Sequence, residues 1–216
     1  MLALFDLDNT LLQGDSDHAF GDFLAARGEV DAAAHRARND AFYADYLAGT
    51  LDIRAYSEFV LSTLKGRSPE QLAELQQTYL HEVILPMILP AGQALLDEHR
   101  QRGDTLLIIT ATNSFITAPI ARYMQVPHLL ATEGELIDGR YSGRVSGIPC
   151  YREGKVERLK LWLQAQALPA QASIFYSDSH NDLPLLEWVD EAVVVDGDAK
   201  LRAQAQLRGW RQISLR

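Results

Sequence analysis

The chain has 216 residues with 20 basic and 29 acidic side chains, a net charge of −9. At roughly 100–200 residues per domain it holds one or two domains, and 47% hydrophobic with 23% charged residues excludes a mainly disordered chain. The acidic balance, with no run of Lys or Arg, excludes nucleic acid as the main partner; an anionic substrate would also be repelled unless local charge overcame it.

Residues 2–7 form a short apolar run of the kind that makes a buried parallel strand. No basic leader precedes it and two acids interrupt it, so it does not read as a signal peptide. Apolar residues then recur at helical spacing over 16–27, 31–47, 53–64 and 69–82, with Gly28, Gly49 and Gly66 between them as helix stops. Ser68-Pro69-Glu70 supplies a cap with proline in the first turn. No strand signal breaks this stretch, which reads as a helical insertion.

Beyond Pro90 the rhythm alternates. Helices are expected at 91–102, 114–124, 153–166 and 182–189, and strands at 105–109, 128–131, 173–176 and 192–195. Four glycines and the alternation Arg140-Tyr141-Ser142-Gly143-Arg144-Val145 suggest a hairpin between 133 and 151. The single cysteine, Cys150, follows Gly147-Ile148-Pro149 in a loop; it forbids an internal disulfide and reads as structural. No stretch reaches the roughly 18 apolar residues of a membrane span. The expectation is a cytoplasmic α/β protein with a doubly wound, Rossmann-like parallel sheet core (1–13 and 90–216) and a helical-bundle cap (14–89), monomeric or homodimeric, with no membrane partner.

In such sheets ligands bind beyond the carboxyl ends of the strands. The first strand ends in Asp6-Leu7-Asp8-Asn9-Thr10 and the second core strand in Thr110-Ala111-Thr112-Asn113. Lys155 opens the helix after the hairpin, and a later strand ends in Ser177-Asp178-Ser179-His180-Asn181-Asp182. Clustered carboxylates stay ionised only around a cation, and hard oxygen donors without Cys suit Mg²⁺. A Lys and a Thr opposite the metal would hold phosphoryl oxygens. One carboxylate near phosphorus is a candidate nucleophile, and another two residues on is a candidate acid and base. In an extended strand Asp6 and Asp8 would share a face, with Leu7 turned away.

Phe5-Asp6-Leu7-Asp8-Asn9-Thr10-Leu11-Leu12 resembles the first motif of the haloacid dehalogenase superfamily. Ile108-Ile109-Thr110 is similar to its second motif, Lys155 to its third and Ser177-Asp178-Ser179-His180-Asn181-Asp182 to its fourth. A helical insertion directly after motif one resembles the cap of the phosphoserine-phosphatase-like branch. The resemblance implies that Asp6 is a nucleophile, Asp8 a general acid and base, and Thr110 and Lys155 the phosphoryl holders. Asp6, the Asp8 carbonyl and Asp178 would bind Mg²⁺, and Asp182 would support the metal through water or position Lys155. Asp15 falls where phosphoserine phosphatases carry an acid that contacts the substrate amine. Thr10, Ala111, Thr112 and Asn113 are further candidates for substrate contact.

This branch usually has Ser-Gly-Gly at motif two and Gly-Asp-Gly at motif four, whereas here Thr110-Ala111-Thr112 and Ser177-Asp178-Ser179 stand there. Thr-Ala-Thr-Asn and Ser-Asp-Ser are similar to general and histidinol-phosphate phosphatases. The implied substrate is a small phosphorylated metabolite, an amino-alcohol or amino-acid phosphate such as histidinol phosphate or phosphoserine, with Asp15 or Asp17 suited to its amine. His18 could contact substrate as well, but reads first as an exposed helix residue. The cap would open on hinges at Gly14 and residues 88–90. The alternatives are phosphotransfer to an acceptor alcohol on the same residues, and a phospho-Asp receiver-like signalling domain.

Overall fold

The computed structural model describes residues 1–166 and 172–216. Seven strands form one sheet: β1 (Leu2–Phe5), β2 (Thr105–Asn113), β3 (His128–Ile137), β4 (Arg140–Ser146), β5 (Ser173–Ser177), β6 (Glu191–Val195) and β7 (Arg211–Ile213). Their order is β4-β3-β2-β1-β5-β6-β7, and every pairing is parallel except β3 with β4. Strand alternation divides the core. Ala3, Phe5, Leu106, Ile108, Ile174 and Val193 face one apolar cluster, while Leu2, Leu4, Leu107, Ile109, Phe175 and Val194 face the other. Helices cover both faces, which is the doubly wound arrangement.

Between β1 and β2 the chain is helical: α1 (Ser16–Ala26), α2 (Ala32–Ala48), α3 (Ile53–Ser62) and α4 (Pro69–Tyr79). Ser68 and Gln71 form a reciprocal capping box at the start of α4. The helix expected over 69–82 changes character after Tyr79. A π-helical stretch, Leu80–Ile84, leads into the short α5 (Leu85–Met87). Pro86 lacks the N–H that would continue the regular ladder. The helix α6 (Pro90–Gln101) then enters β2.

The insertion is not set apart by a polar gap. Phe20 and Leu24 of α1, Leu61 of α3 and Leu75 of α4 belong to the same cluster as Phe5 and Ile108. Only α2 adds nothing to it; its Phe42 lies against Tyr56 and Phe59 of α3. The two crossing segments, expected as hinges, are tied together. Leu12 bridges Ile88, the Gln13 N–H donates to the Met87 carbonyl at 2.7 Å, and the Leu89 N–H donates to the Leu11 carbonyl at 3.1 Å. Gly14 between them has φ +118°, a conformation other residues rarely take.

The second half carries α7 (Ser114–Tyr123), α8 (Glu153–Gln166), α9 (Leu183–Leu186) and α10 (Ala199–Arg208). β2 and β3 run four and six residues past their expected ends at 109 and 131, and β3 with β4 forms the expected hairpin. The helix expected at 182–189 is shorter, because a 3₁₀ turn, His180–Asp182, precedes α9. α10 and β7 were not expected. No helix among the described residues is long and apolar enough to cross a membrane.

Candidate active site

The pairing of β1 ends at Phe5, but the Asp6 N–H still donates to the Tyr176 carbonyl of β5 at 2.9 Å. The carbonyl of fully buried Leu7 then accepts from the N–H groups of Thr10, Leu11 and Leu12. Asp8 therefore starts a turn, with Asn9 at φ 57°, and does not continue an extended strand. Asp6 and Asp8 reach one cavity because the chain turns there, not because alternate strand residues share a face.

That cavity lies at the carboxyl end of the sheet under α1, α2 and α3, and Asp6, Asp8, Thr110, Ala111, Thr112 and Lys155 line it. β2 slips register against β3 between Ile109 and Asn113, which releases Thr110, Ala111 and Thr112 from regular pairing at the cavity floor. Lys155, 2% exposed, donates to Asp6 at 2.9 Å and to both oxygens of Asp182 at 2.7 and 2.8 Å. Asp182 also accepts from the Ser177 hydroxyl at 2.7 Å. Burial works against the Lys155 ammonium, but Asp182 and Asp6 outweigh it and hold it protonated.

Burial lifts Asp6 to about 6, with Lys155 holding it down and Asp182 pushing it up. Asp8 is lifted further, to about 7, by burial and then by the charge of Asp15, against the lowering effect of Ser16. Its carboxylate accepts from the Ser16 N–H at 2.7 Å and the Thr112 hydroxyl at 2.8 Å. The Thr112 hydroxyl, expected on substrate, is thus committed to Asp8. Burial and the charges of Asp6 and Asp182 also raise Asp178 well above the usual carboxylate range.

Two candidates for substrate contact lie elsewhere. Thr10 is fully buried; its hydroxyl donates to the Asp178 carboxylate and accepts from the Asp178 N–H, each at 3.1 Å, tying the loop after β1 to the loop after β5. Asn113 caps α7 by accepting from the Ile116 N–H, and its amide donates to Asp17 at 3.3 Å. Asp15 lines the cavity, but one of its oxygens accepts from the Asp17 and His18 N–H groups and caps α1. His18, expected on the surface, borders the cavity as well and lies 3.4 Å from Asp40. Cys150 is buried and its thiol is pushed up to about 12 by burial, which suits a structural role.

Sequence reasoning missed the cavity's upper wall. Phe42, Tyr43 and Tyr46 recur at helical spacing on α2 and meet Tyr56 of α3 and Tyr151 of the core over the acids. The 42, 43, 46 spacing was the available signal. The Tyr46 hydroxyl donates to Ser179 at 2.7 Å, and the Tyr151 hydroxyl donates to Asn181 at 2.9 Å. The C-terminal carbonyls of α2 accept from core side chains: Tyr46 from Asn181, Leu47 and Ala48 from Lys200, and Gly49 from Arg152.

A carboxylate set against a buried ammonium, a second carboxylate raised toward neutrality by burial and a cavity at the carboxyl end of a parallel sheet fit the active site of an α/β hydrolase. The chain belongs to the haloacid dehalogenase-like hydrolase family, which it matches over residues 3–187. It is similar to the histidinol-phosphatase of Neisseria meningitidis serogroup C, 44% identical over 213 residues that span 97% of this chain and 96% of the relative. It is also similar to phosphoserine phosphatase SerB1 of Mycobacterium tuberculosis, 33% identical over 96% of this chain and 68% of the relative. A solved structure of a protein with unknown function from Bordetella pertussis Tohama I superimposes with a TM-score of 0.93 at 45% identity, covering 100% of this chain and 98% of that one. This protein is a phosphatase of the family, which sets aside the receiver alternative.

Proposed function

We propose that this phosphatase is a Mg²⁺-dependent phosphomonoesterase acting through an aspartyl-phosphate, on a small amino-alcohol or amino-acid phosphate in the cytoplasm. Histidinol phosphate is the first candidate and phosphoserine the second. The observation that carries the reading is the Asp6–Lys155–Asp182 chain beside Asp8 in one cavity. The 44% identical relative's name, histidinol-phosphatase, supports the order of substrates.

The donor chemistry fits the metal. Asp6 and Asp178 are buried carboxylates whose acidity is weakened by burial and by neighbouring carboxylates, Asp182 beside Asp6 and both Asp6 and Asp182 beside Asp178, and a cation relieves both effects. Such a set suits Mg²⁺, which takes one or two carboxylates and keeps its waters. Asp6, Asp178 and the Asp8 carbonyl would hold it, and it would supply positive charge to the phosphoryl oxygens. The divided core (1–13 and 90–216) and cap (14–89) belong to the same reading, with the cap excluding water.

The Asp6 carboxylate attacks phosphorus while Lys155 and Thr110 hold the phosphoryl oxygens. The bond to the leaving alkoxide breaks, and protonated Asp8 gives that oxygen its proton. Ionised Asp8 then takes a proton from water, whose oxygen attacks the aspartyl-phosphate. Phosphate leaves and Asp6 is restored. A group that gives and then takes a proton works best titrating near the working pH, and Asp8 at about 7 does so. Phosphate release from histidinol phosphate and phosphoserine, with Mg²⁺ and with EDTA, tests the proposal. Wild type should turn over only with Mg²⁺, and Asp6→Asn should release none. Normal turnover by Asp6→Asn would refute the nucleophile.

A further inference from the structure

The acids of the cavity are unevenly balanced. Lys155 answers Asp6 and Asp182 at its floor. Under the roof, Asp17 is 5% exposed and lines the cavity. Its hydrogen-bond partners are neutral: the Asn113 amide donates to it at 3.3 Å and the Tyr56 hydroxyl faces it. No Lys, Arg or His among the described residues forms a salt bridge to it. An ionised carboxylate buried without a counter-charge is costly, so such groups pair or take up a proton. Burial and the charges of Asp15 and Asp8 accordingly raise Asp17 well above its ordinary range.

The ring system above it has the complementary character. Phe42 and Tyr56 meet edge to face with centroids 5.3 Å apart, and Tyr43 and Tyr46 stack at 6.4 Å. Aromatic faces carry partial negative charge and attract cations, and they favour flat groups. Asp15 is the less suitable partner for a ligand, because one of its oxygens is already fixed by two backbone N–H groups of α1.

We infer that Asp17, under the aromatic roof of α2 and α3, is the residue that selects substrate charge: it pairs the protonated nitrogen of a cationic phosphomonoester whose flat remainder lies against the rings. This rests on the phosphatase reading above and adds the specificity residue to it. A cationic substrate supplies the counter-charge that the protein itself withholds from Asp17, and a neutral or anionic alcohol phosphate leaves the carboxylate buried and unpaired. The preference thus arises from a penalty as well as an attraction.

Calorimetric binding of the dephosphorylated amino alcohol, L-histidinol, is the direct test, because it needs no turnover. Wild type should bind L-histidinol about tenfold or more tightly than N-acetyl-L-histidinol, which lacks the charge, the scale of one charge-assisted contact. Asp17→Asn should lose that difference, whereas Asp15→Asn should keep it. In parallel, kcat/KM for neutral-tailed p-nitrophenyl phosphate should rise in Asp17→Asn, because the variant lifts the penalty on an uncharged tail, a direction that uniform damage to the site would not give. Equal binding of the two alcohols by wild type, or a charge preference kept in Asp17→Asn, overturns the assignment. The comparison of alcohols on wild type stands even if the variant does not fold. Failure of the phosphatase reading shows separately, as no phosphate release from p-nitrophenyl phosphate.

Discussion

Replacing Lys155 with Met tests how the centre of the site is held. The ammonium is buried and makes short contacts to two carboxylates, 2.9 Å to Asp6 and 2.7 Å to Asp182. Met fills similar space and removes the charge, leaving Asp6 and Asp182 buried without a cation. Removing one partner of a buried ion pair costs about 3–5 kcal/mol. For a chain of this size each kcal/mol lowers Tm by roughly 2–4 °C, so a fall of roughly 6–20 °C is expected. Asp6 also loses its main acidifying neighbour and rises further from about 6, which should weaken it in the nucleophilic role proposed for it. The second perturbation is Asp182→Asn in the same background. With Lys155 gone, the Asp182 charge is a liability, so the double variant should be more stable than the sum of the single losses by roughly 1–3 kcal/mol. Urea and thermal denaturation at pH 7.5 in EDTA, followed by circular dichroism, measure both quantities. A loss below about 1 kcal/mol for Lys155→Met, or strict additivity of the two changes, would refute the reasoning.

Two further outcomes rest on other parts of the structure. A Cβ on Gly154 would sit 2.2 Å from the Pro149 carbonyl oxygen, a backbone atom that cannot swing aside. Gly154→Ala should therefore cost at least about 3 kcal/mol, the upper end for overpacking, and shift Lys155 at the next position; an unchanged Tm would count against the local geometry. His99 is buried between Asp104 at 2.8 Å and the Tyr176 hydroxyl at 2.9 Å, and burial lowers its pKa below the ordinary 6.5. The unfolded chain takes this proton first, so His99 contributes stability above pH about 6.5 that is lost on acidification. Asp104 acts in the same direction at lower pH: burial would raise it, but bonds from His99, the N-terminal amine and Arg102 lower it. His99→Gln should flatten the decline of Tm just below pH about 6.5 while the fall below about 4 persists; an unaltered profile would remove His99 from the account.

The strands and most helices were legible because apolar period and glycine stops are local signals. The polar groups at strand ends were legible because topology sends them to one place. What failed was conformation that depends on partners. Asp8 left the strand because Leu7 spends its carbonyl on three N–H groups of a turn, which no period reveals. Thr10, Thr112 and Asn113 have residue types suited to a ligand, yet each is committed to a neighbour distant in sequence. α10 buries only Leu201 and Ala205, too sparse a pattern to stand out, and β7 is three polar-flanked residues on a sheet edge. Asp15 was readable as a helix cap from its place before Ser16, although its position in the motif drew attention to a ligand role first.

The attachment of α2 has a mechanical consequence. Its neighbours α1, α3 and α4 are fastened to the sheet by shared apolar packing, and moving them would expose that packing to water. At its C-terminal end, by contrast, α2 is fastened to the core by hydrogen bonds from Asn181, Lys200 and Arg152. Water can replace each of these at a net cost of roughly 0.5–1.5 kcal/mol. The C-terminal end of α2 is therefore held by replaceable polar bonds where its neighbours are held by buried apolar packing. Asn181 lies in the same short loop as Asp178, and Lys200 follows Asp198 beyond β6, so the fastening of the roof runs through the segments at the carboxyl ends of β5 and β6.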